Sequence, residues 1–193
     1  MKKILLILTI ALTSNVKSYS QDYYHGFGAM GNLGFYQLDY NTPTLTYSGT
    51  SGASVPGLFY KATLGFGDLL AASAYPFLGF NLSVNSQTGS SGGIGISLPI
   101  ALEFHAGDLD DACFFGGAGF NYTFLASSES GGGPIVGPEF SLGGQFNFRE
   151  KLIGLRAAYT IGLNDTKLDV TGATITKDKK SLITLGIYYV LGQ

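Results

Sequence analysis

The sequence predicts an all-β fold, eight antiparallel strands closed into a barrel, and three observations carry that reading. Apolar residues alternate with small or polar ones, with period two, through eight segments. Beyond the first twenty residues no run approaches the ~18 consecutive apolar residues of a membrane helix. The connections between segments alternate short and long, as they do along a chain of hairpins. The 193 residues fit one domain of ordinary size. With 13% aromatic and only 12% charged residues the chain does not have the composition of a disordered one. Its 29 glycines follow no three-residue period, which excludes a collagen-like helix.

Residues 1–20 (MKKILLILTIALTSNVKSYS) have the layout of a secretory signal peptide. Lys2 and Lys3 give a positive start, residues 4–12 an apolar core, and Ser18 and Ser20 small residues at the cleavage positions. The core is shorter than the ~20 residues a spanning helix needs. No cysteine follows it, so a lipid-anchored form is not expected. Residues 21–193 are then the barrel.

The first strand is expected over 24–40, with a change of phase near Phe35 and a bulge there to account for Tyr36, Leu38 and Tyr40. In 57–67, Leu58, Tyr60, Ala62, Leu64 and Phe66 share one face, and Phe59, Lys61, Thr63 and Gly65 the other. Residues 70–84 alternate well only after Pro76. In 94–105, Ile94, Ile96, Leu98, Ile100, Leu102 and Phe104 oppose Gly95, Ser97, Pro99, Ala101, Glu103 and His105. The same pattern recurs over 113–124, 138–149, 152–163 and 181–191, where Phe120, Phe146, Leu155 and Leu185 lie on the apolar side. Short turns are expected at 67–69, 106–111 and 149–151. Long loops are expected at 41–56, 85–93, 125–137 and 164–180, all at the end opposite the termini.

Amphipathic strands suit two opposite objects: a soluble barrel with its apolar face inside, or a membrane barrel with that face toward lipid. Composition separates them. The polar face carries only Lys61, Glu103 and Arg156 along the strands, with Arg149 and His105 at strand ends; the remainder is Gly, Ser, Thr, Asn, Gln and Ala. Such a face is a poor soluble surface and suits the crowded interior of a narrow barrel. The apolar face has no charge at mid-strand, where an exposed Lys or Arg costs about 2–4 kcal/mol in lipid. Aromatics gather near both ends of the strands, with Phe66, Phe104, Phe114 and Phe148 by the short turns. Strands of about 9–11 residues would cross the membrane.

With its signal peptide, eight amphipathic strands, short turns, long loops and aromatic last strand (Tyr188, Tyr189), residues 22–193 resemble the small outer-membrane β-barrels of Gram-negative bacteria, the OmpX- and OmpW-like group. The resemblance implies residence in the cell outer membrane after secretory export. It also implies contact with outer-membrane lipid and lipopolysaccharide, insertion by the barrel-assembly machinery, and surface interactions through the four long loops. The role implied is structural or cell-surface, with a lumen largely closed by side chains. A narrow pore or small-solute transporter, and a secreted soluble ligand-binding barrel, are the alternatives.

Chemistry is sparse. The net charge of −2 leaves no basic patch for nucleic acid. Nucleophilic catalysis in the outer leaflet would need a histidine near the long loops, yet His25 and His105 both fall at the short-turn ends. No enzyme, cofactor or metal site is expected, and His105 reads as a polar rim residue. The lone Cys113 can close no intrachain disulfide. Lys61, Glu103 and Arg156 project inward from the second, fourth and seventh strands and form a possible lumen charge network, because burial of unpaired charge is costly. Asp108, Asp110 and Asp111 read as a solvated acidic turn. Lys177, Lys179 and Lys180 read as an exposed rim in the last loop, able to meet lipopolysaccharide phosphates. Gly92-Gly93 and Gly131-Gly132-Gly133 read as flexible loop.

Overall fold

The computed structural model describes residues 23–192 apart from 68, 86–88, 108–111, 128–133, 164–171 and 173. The expected signal peptide, the Asp108, Asp110 and Asp111 turn and the 131–133 glycines lie outside the described residues. Among the described residues nine strand segments are formed: β1 (Tyr23–Asn41), β2 (Thr46–Gly65), β3 (Leu70–Ala74), β4 (Phe77–Asn85), β5 (Gly89–Gly107), β6 (Ala112–Ser127), β7 (Ile135–Phe148), β8 (Lys151–Gly162) and β9 (Thr174–Gly192). All pairings are antiparallel: β2 pairs with both β3 and β4, β5 pairs with both β3 and β4, the rest join sequence neighbours, and β1 pairs with both β2 and β9, which closes the ring.

β3 and β4 are two halves of one wall strand, so the ring has eight. Pro76 has no N–H to give the ladder and interrupts it. The backbone repairs the gap on both sides: Tyr75 N–H donates to Pro99 O (2.9 Å), and Tyr60 N–H donates to Pro76 O (3.0 Å).

Alternation sets the two faces as expected. Ile96 and Leu185 are 52% and 56% exposed on the outside, whereas Lys61, Glu103 and Arg156 are 3%, 0% and 2% exposed within. Phe66, Phe104, Phe114 and Phe148 stand on the outer surface near the short turns.

Four expectations are corrected. The first concerns strand length: the segments span up to 20 residues rather than 9–11. Much of 41–56, 85–93 and 164–180 is therefore ladder, not loop. Gly92 and Gly93 pair with Leu82 and Asn81, and Lys177, Lys179 and Lys180 belong to β9. β6 runs on to Ser127 and β7 starts at Ile135, so 125–137 shortens as well. The physical reason is that backbone pairing needs no apolar face. Alternation stops where the apolar belt stops, but the hydrogen-bonded ladder continues beyond it. A 19-residue strand is about 60 Å long, far more than the ~30 Å of a hydrocarbon core.

The second concerns β1, which does not change phase at Phe35. It pairs with β2 without interruption from Tyr23 to Asn41, and Tyr36 simply continues the inward row. The irregularities lie against β9, between His25 and Gly26 and between Asp39 and Tyr40. In the sequence, a large residue inside the barrel mimics a slip of register. The third concerns Lys180, which is buried rather than on an exposed rim and lies 3.8 Å from Asp178.

The fourth concerns the lumen, which is not lined by small polar groups alone. Met30, Ala53, Val55, Phe59, Tyr75, Phe77, Tyr188 and Val190 form an apolar cluster inside it. Glycine makes room for these rings. A Cβ on Gly154 would fall 2.0 Å from Cζ of Tyr188, and one on Gly143 would fall 2.3 Å from Cζ of Phe115. The β7–β8 turn is tight, with Arg149 and Glu150 at φ 52° and 65°, the backbone of a two-residue hairpin.

Candidate functional site

The chemically capable side chains converge in the lumen, because every second residue of each strand points there. Arg156 on β8 and Glu139 on β7 form a fully buried ion pair through Nη2 and Oε1. The other Glu139 oxygen accepts from Asn121 Nδ2 and Thr160 Oγ1, both at 3.0 Å. Asn121 Oδ1 in turn accepts from Ser97 Oγ at 3.0 Å and Thr123 Oγ1 at 3.2 Å. The polar wall of β5–β8 is thus one connected network in which the buried carboxylate accepts from several donors.

Glu103 on β5 is a second centre. It accepts from Ser73 Oγ at 2.7 Å and from the Tyr75 hydroxyl, and it lies 3.3 Å from Nε2 of His105. The other ring nitrogen of His105, Nδ1, lies 3.7 Å from Sγ of Cys113. His105 is therefore not a rim residue: it is 3% exposed and stacks on Phe115. The β5–β6 pairing, Gly107 with Cys113 and His105 with Phe115, carries it inward at the foot of the lumen.

Lys61 donates to the Tyr188 hydroxyl at 3.0 Å and lies 4.7 and 4.8 Å from the ring centroids of Phe115 and Tyr188. Among the described residues no carboxylate lies within 4.0 Å of it. The Arg156 guanidinium stacks 4.1 Å from the Tyr75 centroid, while its Nε and Nη1 make no hydrogen bond among the described residues. Both cations thus lie on aromatic faces: for Lys61 this takes the place of an ion pair, and for Arg156 it adds to the Glu139 pair, each strengthened by low dielectric.

Lys61, Glu103 and Arg156 share one interior but do not form a directly bonded triad. Tyr75 joins two of them, giving its hydroxyl to Glu103 and its ring to Arg156. Reading the sequence missed Glu139, Tyr75 and the pairing of His105 with Cys113. Glu139 was legible, since it shares its phase with Ser141 and Gln145; the others depend on register between strands. His25 lies on the outer side near the foot, between Tyr23 and Tyr60, with ring centroids 5.7 and 6.1 Å away. Among the described residues no cluster of three or more His, Cys, Asp and Glu has metal-binding geometry. A mainly apolar groove of about 620 Å³ lies on the outer belt, lined by Ala29, Gly31, Ala157 and Leu185 among others.

No protein-family model matches this chain, and no curated protein matches it. Among solved structures it is similar to the outer membrane protein OprG of Pseudomonas aeruginosa, with 16% identity over 87% of this chain and 96% of that one and a TM-score of 0.55. Neisserial surface protein A matches at 10% identity over 83% and 96% of the two chains, with a TM-score of 0.41. At those identities the likeness concerns the fold, and the fold statement rests on OprG. The architecture is that of the small eight-stranded outer-membrane barrels.

Proposed function

We propose that this chain is an integral protein of a Gram-negative outer membrane, with a structural or cell-surface interaction role and a lumen plugged by the network around Lys61, Glu103 and Arg156. Residues 1–20 direct export and are removed. Lipid and lipopolysaccharide surround the belt, and the barrel-assembly machinery inserts it. One observation supports the reading above the rest: Leu58, Ile96, Leu142 and Leu185 stand half or more exposed on the outer face, while the described charged side chains of the mid-strand rows lie inside. In water that arrangement would leave a continuous apolar girdle unsatisfied; in lipid it is the favourable one. Surface contacts would be made by the β1–β2 hairpin and the strand ends above the belt. The role is not enzymatic.

Detergent dependence and heat-modifiable mobility on a gel test membrane residence. A folded band that migrates differently from the boiled chain, and protein lost on detergent removal, are the expected results. A monodisperse barrel without detergent would overturn the reading. Conductance in planar bilayers tests the plug. The wild type is expected to show no steady pore, and Glu103→Gln to lower the melting temperature without opening one.

A further inference from the structure

Apolarity alone selects no partner in hydrocarbon, where the solvent is apolar too. A lipid gains from a barrel surface through van der Waals contact in the belt and through charge at the interface. One column of the outer face offers both. At one level of the belt Pro56, Gly31, Leu185, Ala157 and Leu142 stand side by side, each paired with the next. Gly31 and Ala157 make a low floor on either side of Leu185, and Leu142, 67% exposed, forms a wall. This is the groove of about 620 Å³. A Cβ on Gly31 would meet nothing within 4 Å, so the floor is open to an occupant from the membrane.

The same outer row of β9 continues upward through Ile183 and Ser181 to the exposed Lys179. Leu33, Phe35 and Gln37 stand opposite them on β1. From Leu185 to Lys179 the strand rises by six residues, about 20 Å. For a tilt of roughly 40° that is about 15 Å along the membrane normal, half of the ~30 Å hydrocarbon core. An acyl chain whose own phosphate meets Lys179 therefore ends in the groove. Asp39, the next carboxylate on the outer row of β1, is engaged by the Ser48 hydroxyl at 2.7 Å. A second copy of the chain fits less well. Two grooves meeting about a two-fold axis normal to the membrane would set both Lys179 ammonium groups at one level, like charge against like.

We propose that this column is the seat of one lipopolysaccharide molecule: Lys179 binds a phosphate of its lipid A, and one acyl chain runs down the outer row to end over Gly31 and Ala157. The proposal rests on the membrane reading, under which the side of Lys179 is the outer leaflet. Phosphate and chain belong to one molecule, so each contact raises the effective concentration of the other.

Native mass spectrometry of the folded chain in detergent, titrated with lipid A, tests it. One lipid A is expected to bind each chain ahead of any further ones. Gly31→Leu fills the floor from outside the fold and should weaken binding roughly tenfold. Ala157→Leu makes the same test on the other side of Leu185, and decides if Gly31→Leu does not fold. Ala72→Leu, on the outer row of β3 opposite Leu102, should bind as the wild type does. Lys179→Gln should lose about fivefold, and should lose nothing more when the lipid A lacks its phosphates. Wild-type affinity in both groove variants overturns the proposal, as does full binding by Lys179→Gln. Phosphatidylglycerol bound as tightly as lipid A overturns it too. Heat-modifiable mobility of the same samples keeps the two readings apart. A folded, detergent-held barrel that binds without regard to these substitutions loses the site and keeps the membrane; a barrel soluble without detergent loses both.

Discussion

The half of the lumen lined by β1, β2, β4 and β9 is filled by Met30, Val55, Phe59, Phe77 and Tyr188, whereas the half lined by β5–β8 carries Glu103, Asn121, Glu139, Arg156 and Thr160. The named side chains of both halves are buried. The first is held by volume: rings fit over glycines and against each other, as Phe59 does edge-on to Tyr188 with centroids 5.9 Å apart. The second is held by valence, through paired donors and acceptors centred on Glu103, Asn121 and Glu139. A volume-filled wall degrades in proportion to what is removed. A valence-filled wall fails sharply when one member is lost, because its partner is stranded without water. Tyr75, Lys61 and Arg156 form the seam, with aromatic faces on one side and polar partners on the other.

The largest effect is expected where the polar wall loses a charge. Arg156→Ala leaves Glu139 buried beside Asn121 and Thr160 alone, and should cost about 3–5 kcal/mol in urea unfolding from detergent. Replacing both partners, Arg156→Leu with Glu139→Leu, should recover most of that loss. A double variant as unstable as the single one would break the distinction between the walls.

Phe59→Ala probes the aromatic wall and should cost about 3 kcal/mol by cavity formation. Phe59→Leu, which keeps most of the volume, should cost less than half as much. The graded response is the signature sought. An all-or-none loss at Phe59 would mean that this wall too works as a single network.

The sequence made the barrel legible because the outer face is uniform: every outward position faces one solvent, so period two survives along each strand. The interior was less legible for the same reason inverted. An inward side chain answers to whatever stands across or beside it, so Tyr36 and Phe59 are as acceptable as Ser97 or Thr63. Tyr36 consequently resembled a bulge, and His105 resembled a rim residue. Lys61, Glu103 and Arg156 could be placed inside because charge has nowhere else to go in such a strand. Their partners could not be named, since Tyr75 meets Glu103 across the β3–β5 register and Glu139 meets Arg156 across β7–β8. The upper strand ends were hidden because the paired backbone there carries no apolar face.

The mildest test lies in a polar pair inside the aromatic half, next to its boundary with β8. Thr184 on β9 donates to Asn32 Oδ1 on β1 at 2.8 Å, and among the described residues Asn32 Nδ2 has no hydrogen-bond partner. Thr184→Val keeps the shape and removes one neutral donor. The loss should be about 1 kcal/mol, well below that of Arg156→Ala, because Asn32 Oδ1 is an uncharged acceptor. Asn32→Leu with Thr184→Val removes both partners, and with them the buried amide nitrogen that already lacks an acceptor. The double variant should therefore be no less stable than Thr184→Val alone, as read by urea midpoint in detergent. Additive losses at the two positions would instead mean that this pair belongs to the connected polar network, and would move the boundary between the walls from β8–β9 to β1.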